Sequence, residues 1–232
     1  MKIVKINKVD GRLETKGCSK AADEVIKQLS NILLSENFKK LDYTIEDEGD
    51  LYLGGDHSNS YTNFIKSNCD GLLIFDAHPD VYQDFNIPTH QDWLKFLIDE
   101  NKVKKENVIL AGIRSFDKKE IDYLKENKIK YFDMKKIFEL GIKESCDLIM
   151  ENAKNFNKLY LSIDIDAVDP AFAPGTGYAE PGGLTSREMI YFVQRLKLLK
   201  NLKKVDIVEV NLEKDINNQT AKLVAKLIWE LS

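Results

Sequence analysis

Residues 71–80 read Gly-Leu-Leu-Ile-Phe-Asp-Ala-His-Pro-Asp, an apolar run that changes abruptly to acids and a histidine. A short, continuous apolar run is typical of a strand that is buried on both faces of a sheet. Side chains that directly follow such a strand lie at its carboxyl end, where open parallel sheets bind their ligands. The stretch therefore predicts a parallel sheet with a functional site at the carboxyl ends of its strands.

The same alternation of strands and helices continues along the chain. We predict strands at 50–53, 71–75, 107–111, 129–132, 158–163 and 205–210. We predict helices at 21–34, 93–98, 118–126, 186–199 and 218–230, with two short helices within 134–155. The pattern indicates an α/β fold with a mainly parallel central sheet and helices on both faces. Without a repeat or a linker, residues 1–232 are expected to form a single domain.

Composition narrows the class of protein. The 232 residues are 43% hydrophobic and 31% charged, which is ordinary for a soluble globular protein. The formal net charge of −4 argues against nucleic acid as a partner. No apolar segment is long enough to cross a membrane, and no signal peptide is evident at the start of the chain. The three cysteines, Cys18, Cys69 and Cys146, are odd in number, and their spacings match no metal-binding or redox motif. Free thiols fit a reducing compartment, so we expect a cytoplasmic protein.

Two further polar clusters follow predicted strands. They read Gly-Gly-Asp-His-Ser at 54–58 and Ser-Ile-Asp-Ile-Asp-Ala-Val-Asp-Pro at 162–170. Side chains alternate along an extended chain, so residues 76, 78 and 80 are expected on one side, and 164 and 166 share a parity. Facing acid pairs repel each other, and these segments contain no Lys or Arg. The sequence therefore predicts a metal site.

The charge count favours two ions. Four carboxylates (Asp76, Asp80, Asp164 and Asp166) carry four negative charges, and His57 and His78 add neutral nitrogens. Oxygen-rich ligation with one imidazole per ion suits manganese better than zinc. Two ions roughly 3.5–4 Å apart can bridge a water and lower its pKa, which indicates a hydrolase. Each cluster alone has a plainer explanation: a turn at 54–57, or a strand end or magnesium–phosphate site at 164–166.

Taken together, the three clusters resemble the metal motifs of the ureohydrolase family, which includes arginases, agmatinases and formimidoylglutamases. The third motif continues as Ala-Pro-Gly-Thr-Gly at 173–177 and Pro-Gly-Gly-Leu-Thr at 181–185, which also resemble the family. The resemblance begins at about residue 50. It implies a three-layer arginase-like fold, two Mn²⁺ ions and attack on a guanidinium carbon to give urea and an amine. The implied manganese ligands are His57, Asp76, His78, Asp80, Asp164 and Asp166.

The resemblance also implies two catalytic residues. His90 falls where the family has a histidine that passes a proton to the leaving amine, a step that amine departure requires. Its alternative role is a surface histidine that caps the next helix. Glu209 falls where the family has an acid that pairs with the guanidinium, a geometry that carboxylates favour. An acid within an apolar strand would otherwise be costly, which supports a function for Glu209.

The substrate's tail is less constrained by the sequence. Residues 81–89, Val-Tyr-Gln-Asp-Phe-Asn-Ile-Pro-Thr, differ from the segment that holds the amino acid carboxylate in arginases. Asp117 resembles a family acid that contacts a substrate amine, although it is equally suited to be a helix N-cap. These features favour agmatine over arginine and guanidinobutyrate.

Other functions stay open at this point. Formimidoylglutamase activity would release formamide from a formimino substrate, and a catalytically silent metal-binding protein would turn over nothing. A deacetylase-like amide hydrolase fits less well, because such enzymes need a single catalytic ion. Members of the family commonly form trimers or hexamers, so a homo-oligomer stays open as well, and the sequence does not settle the oligomeric state.

Overall fold

A single parallel sheet runs through the molecule in the computed structural model, which describes residues 1–10, 12–32, 36, 40–82 and 86–232. Its strands are β1 (Lys2–Lys5), β2 (Thr44–Ile45), β3 (Leu51–Leu53), β4 (Gly71–Phe75), β5 (Val108–Ile113), β6 (Lys130–Asp133), β7 (Leu159–Asp164) and β8 (Leu202–Val208). Their order across the sheet is β2-β1-β3-β8-β7-β4-β5-β6, and every pair is parallel.

Helices connect most of these strands. They are α1 (Ala21–Leu29), α2 (Ser58–Ser67), α3 (Trp93–Asp99), α4 (Lys118–Glu126), α5 (Met134–Leu140), α6 (Ile142–Ala153), α7 (Ser186–Leu196) and α8 (Gln219–Leu231). Short 3₁₀ helices span Leu13–Lys20, Lys105–Asn107 and Ile165–Ala167. None of the helices in the described ranges combines the length and apolar character that a membrane span requires.

The sheet separates two hydrophobic cores, because successive side chains of a strand point to opposite faces. In β4, Leu73 and Phe75 pack into the core shared with α1, α6, α7 and α8, whereas Leu72 and Ile74 pack into the core shared with α2, α3 and α4. The central strands are buried on both sides, which explains their continuous apolar runs. The predicted three-layer α/β fold is confirmed.

Several element boundaries differ from the prediction. The helix predicted at 21–34 ends at Leu29, and residues 33 and 34 lie outside the described residues. Helix α2 and strand β2 were not predicted. The prediction that the last strand reaches residue 210 was wrong, because β8 ends at Val208. The capping box that begins α7 at Thr185 is present as predicted.

The sheet order brings the motifs together. Strands β3, β8, β7 and β4 are consecutive neighbours, and a polar cluster follows each of them at the carboxyl end. The turn after β3 needs its glycines, because Gly55 has φ +74° and a Cβ on it would lie 2.6 Å from the carbonyl oxygen of Lys8. This close approach places the segment after β1 beside the motif at 54–58.

Candidate metal centre

His57 follows β3 and lies among three carboxylates. Its Nδ1 is 3.0 Å from Asp76 Oδ2, 2.9 Å from Asp80 Oδ2 and 3.3 Å from Asp164 Oδ2. All four side chains are buried. Burial opposes a charge on the ring, but the carboxylates of Asp164, Asp76 and Asp80 outweigh it and raise the pKa of His57 well above its usual value. The surroundings of His57 therefore attract positive charge.

A second group surrounds His78, whose Nδ1 is 3.0 Å from Asp166 Oδ2 and 3.5 Å from Asp76 Oδ1. Asp76 thus presents one oxygen to each histidine. Among the described residues, His57, Asp76 and Asp164 form one cluster with metal-binding geometry, and Asp76, His78 and Asp166 form another. Two clusters that share a carboxylate are suited to two adjacent cations.

The candidate ligands after β4 and β7 are not brought together by the alternation of side chains along an extended strand. Residues 76–80 leave the strand, and Asp80 has a left-handed backbone with φ +53°. Asp166 lies in the 3₁₀ turn after β7, where its backbone N–H donates to Asp164 Oδ1 at 2.8 Å. The expectation of a persistent extended chain was wrong at these residues, although all six side chains still meet.

Two buried atoms in the ligand clusters indicate that these clusters are suited to metal ions. Although they lie 3.0 Å apart, His57 Nδ1 and Asp76 Oδ2 form no hydrogen bond with each other or with any other described residue. A buried polar atom without a partner is costly, and a metal ion would satisfy both a nitrogen lone pair and a carboxylate oxygen. The donor set of carboxylates and one imidazole per cluster therefore fits two manganese ions.

A buried network holds the His57 ring from behind. Its Nε2 is 3.0 Å from Ser162 Oγ, and Ser162 donates to Asp206 Oδ1 at 2.6 Å. Ser60 and Tyr160 donate to the other oxygen of Asp206, at 2.6 and 2.8 Å. With a proton on Nε2, each group donates to the next, and Nδ1 keeps its lone pair for a metal.

A cavity of about 90 Å³ opens over the two clusters. It is lined by His78, Asp80, Tyr82, His90, Gln91, Glu120, Asp164, Asp166, Thr176, Tyr178 and Glu209. Five of these described side chains are acidic and none is Lys or Arg. The size suits a small molecule, and the charge favours a cation.

His90 is buried beside this cavity and is not the surface residue of the alternative interpretation. Its Nδ1 is 2.7 Å from Asp10 Oδ2, and Tyr178 stacks on its ring at a centroid distance of 6.0 Å. Burial lowers the pKa of His90, but Asp10 and then Glu209 outweigh this effect and raise it. His90 Nε2 has no hydrogen-bond partner among the described residues, which leaves it available to a substrate.

Glu209 lies one residue beyond β8, with φ +64°, and not inside the strand as predicted. Its Oε1 accepts the backbone N–H of His57 at 2.9 Å, and Cys18 Sγ donates to Oε2 at 3.5 Å. Burial raises the pKa of Glu209 to about 8, and the nearby Asp56 carboxylate adds to the shift. A buried acid with this setting is well placed to receive a cation from the cavity.

Asp117 is the N-cap of α4. Its Oδ1 accepts the backbone N–H of Glu120 at 3.0 Å, and Glu120 Oε2 accepts the backbone N–H of Asp117 at 3.0 Å. Glu120 rather than Asp117 lines the cavity, and burial raises the pKa of Glu120 to about 7. A contact between Asp117 and a substrate amine stays a prediction.

Sequence reasoning missed several residues around the cavity, among them Asp10, Tyr82, Glu120 and Tyr178. Asp10 is separated from the end of the first strand by residues 6–9, so the rule that placed the other acids directly at strand ends does not identify it. Its surroundings also resemble no motif, and the residue was therefore overlooked. The tyrosines lie in loops, where a local pattern gives no signal.

The sequence model of the arginase family matches residues 2–232, and the chain belongs to this family. An arginase of Staphylococcus aureus (strain MRSA252) is 36% identical over 197 residues, which cover 77% of this chain and 65% of that protein. The chain thus matches slightly less than two thirds of that relative.

Solved structures agree with this assignment of the fold. Formimidoylglutamase from Bacillus subtilis superposes with a TM-score of 0.91 at 22% identity, covering 99% of this chain and 84% of that one. Arginase from Bacillus subtilis superposes with a TM-score of 0.83 at 25% identity, covering 100% and 97%. A formimidoylglutamase and an arginase thus share the fold of this chain.

Proposed function

We propose that the protein is a manganese-dependent hydrolase that cleaves a small guanidino compound to urea and an amine, with agmatine as the favoured substrate. The main observation behind the proposal is a cavity that opens over two ligand clusters. Asp76 belongs to both clusters and contributes one carboxylate oxygen to each. Glu209 and His90 line the same cavity. Membership in the arginase family supports the reaction class.

The metal ligands would be His57, Asp76, His78, Asp80, Asp164 and Asp166. Two ions held there would supply a hydroxide nucleophile at neutral pH by lowering the pKa of water. The six side chains come from three strand ends that the sheet holds rigidly, so the geometry is set before substrate arrives.

Glu209 would bind the guanidinium and orient its carbon toward the metal ligands. A carboxylate and a guanidinium form paired N–H···O bonds, and burial strengthens them by excluding water. Glu209 is itself held by the backbone N–H of His57, which ties the substrate's position to the metal site.

His90 would donate a proton from Nε2 to the amine nitrogen as the C–N bond breaks. The nitrogen then leaves as a neutral amine, and the carbon keeps the hydroxyl oxygen, whose proton passes to the now neutral His90 or to solvent to give urea. His90 is suited to this because it lines the cavity and its Nε2 has no hydrogen-bond partner among the described residues.

The charge of the cavity favours agmatine over substrates with acidic tails. Arginine and guanidinobutyrate carry a carboxylate and formiminoglutamate carries two, but the described lining contains no Lys or Arg. Agmatine has a second cation and no carboxylate, and Glu120 offers a buried carboxyl group to its far amine.

Product analysis tests the proposal. Manganese-loaded and metal-stripped protein would be incubated with agmatine, arginine, guanidinobutyrate and formiminoglutamate, and urea and formamide would be measured in parallel. We expect metal-dependent urea, with the highest kcat/KM for agmatine. Formamide as the product would instead indicate a formimidoylglutamase. Absence of both products from protein with two bound ions would contradict the proposed activity.

A further inference from the structure

Asp10 connects the start of the chain to the candidate proton donor. Its Oδ2 lies 2.7 Å from His90 Nδ1 and also accepts the backbone N–H of His90 at 3.1 Å. The two residues are 80 positions apart, and both side chains are largely buried. Asp10 does not line the cavity, so it reaches the substrate only through His90.

The carboxylate of Asp10 is itself fixed in place. Its Oδ1 accepts the backbone N–H of Arg12 at 2.8 Å, and its own backbone N–H donates to Asp56 Oδ2. Burial would raise the pKa of Asp10, but the hydrogen bonds from His90 and Arg12 outweigh it and hold the pKa well below its usual value. The Asp10 carboxyl group already accepts the backbone N–H groups of Arg12 and His90, so it acts as an acceptor, and His90 Nδ1 is the donor in the bond between the two side chains.

We infer that Asp10 is a positioning residue that holds His90 in the tautomer with its proton on Nδ1 and directs Nε2 toward the substrate. A histidine has two exchangeable nitrogens, and the partner of one determines the state of the other. With Nδ1 committed to Asp10, the neutral ring offers a bare Nε2, and the protonated ring offers a proton from Nε2.

Tyr178 supports this assignment from the other side of the ring. It stacks on His90 with an interplanar angle of 21° and contacts His78 edge-on at a centroid distance of 5.9 Å. Stacking restricts tilting of the imidazole, whereas Asp10 restricts its rotation. The Asp10–His90 arrangement follows the same physical principle as other carboxylate–histidine pairs that orient a proton-transferring ring.

The role of Asp10 in turnover rests on the proposed function, but the tautomer does not. The first test is therefore spectroscopic. The chain has three histidines, so ¹⁵N–¹H correlation spectra of the zinc-loaded protein, which avoids paramagnetic manganese, contain few imidazole signals. A His90→Gln variant assigns the ring. We expect a proton on Nδ1 and none on Nε2 in the neutral ring. A neutral ring protonated on Nε2 would overturn the inference.

The second test is kinetic and uses Asp10→Asn, which keeps the shape of the side chain but removes its charge. With the manganese-loaded protein we expect kcat to fall about 10- to 100-fold, with KM and metal content nearly unchanged. Asp23→Asn is the matched control, because Asp23 is an exposed acid that pairs with Lys5 and does not line the cavity. Normal kcat in Asp10→Asn would refute a role for Asp10 in turnover.

The two tests separate the possible failures. If wild-type protein hydrolyses none of the four substrates, the proposed function fails, while the tautomer of His90 still decides the inference. If Asp10→Asn does not fold, the wild-type spectrum decides alone. A folded Asp10→Asn protein whose His90 ring keeps the wild-type tautomer would also contradict the inference.

Discussion

Asp76 differs from the other candidate ligands because its two oxygens face different histidines, His57 and His78. Asp166, in contrast, has an ion-pair contact with His78 but none with His57 among the described residues. A substitution at the shared carboxylate should therefore be more damaging than one at an unshared carboxylate, even though both residues are buried acids of the same size.

This difference gives a graded prediction. Asp166→Ala should retain about one tightly bound manganese ion per chain, and Asp76→Ala should retain neither, with turnover lost in both. Metal content after gel filtration measures the outcome. The exposed Asp122→Ala, which removes only a surface ion pair, is the control and should bind two ions. Two tightly held ions and normal rates in Asp166→Ala would refute the ligand assignment.

His90→Ala should separate proton transfer from metal binding. We expect turnover to fall on the order of 10²- to 10⁴-fold with metal content unchanged, because His90 contacts Asp10 and Tyr178 rather than the ligand clusters. Steady-state kinetics with the same metal analysis would show this. A rate equal to that of the wild type would remove His90 from the mechanism.

At the level of single residues, the sequence was informative where a charged group directly follows an apolar strand. His57, Asp76 and Asp164 were predicted on this basis, and the structure brings them together. Asp10 does not directly follow a strand, its partner is 80 residues away, and the pair has no local pattern. Glu120 was not predicted, because the sequence indicates only that it lies in the first turn of a helix and not that this turn borders the cavity.

At the level of elements, the sheet was predictable from its apolar runs, and α2 was not. Helix α2 buries Asn59, Ser60 and Asn63, whereas an amphipathic helix normally buries apolar residues. Ser60 is satisfied by Asp206, and Asn59 Nδ2 donates to the carbonyl oxygen of Lys8. Such tertiary hydrogen bonds allow a polar face to be buried, and no local periodicity reveals them.

Two substitutions of Asp117 can distinguish its role as the N-cap of α4 from a contact with the substrate amine. Asp117→Ala should lower the free energy of unfolding by about 1 kcal/mol, because the capping box is lost. Asp117→Asn should remain near wild-type stability, since Asn is also a good N-cap. Denaturant titration measures both. An increase in KM for agmatine in Asp117→Asn would show that the charge also contacts the substrate.

A further prediction concerns the pairing of β7 with β8. Asp206 of β8 accepts a hydrogen bond from Ser162 of β7, and Ser162 in turn contacts the His57 ring. Asp206→Asn should weaken manganese binding about 10- to 100-fold, as loss of a partner behind a metal ligand usually does. Metal titration by calorimetry measures the change. Tyr160→Phe removes a different hydroxyl from the same carboxylate, and it should leave manganese affinity close to normal.

At the level of the whole molecule, we propose that residues 1–232 unfold as one domain, since the sheet joins the first strand to the last. Thermal unfolding should show a single transition, and chelation of the metal should lower its midpoint, because ligands that bind only the folded state stabilise it. Scanning calorimetry with and without chelator tests both. Two transitions would contradict the single domain.

The strand order has a consequence for the timing of synthesis. Strands β1, β2 and β3 join the rest of the sheet only through β8, which pairs with β3 on one side and β7 on the other. His57 follows β3, whereas its carboxylate neighbours follow β4 and β7. On the ribosome, the strand pairing that joins β3 to β7 through β8 can therefore form only after β8 has emerged. We expect a nascent chain stalled before residue 202 to lack the pairing between β3 and β8, so that only helix α2 would hold His57 beside the carboxylates.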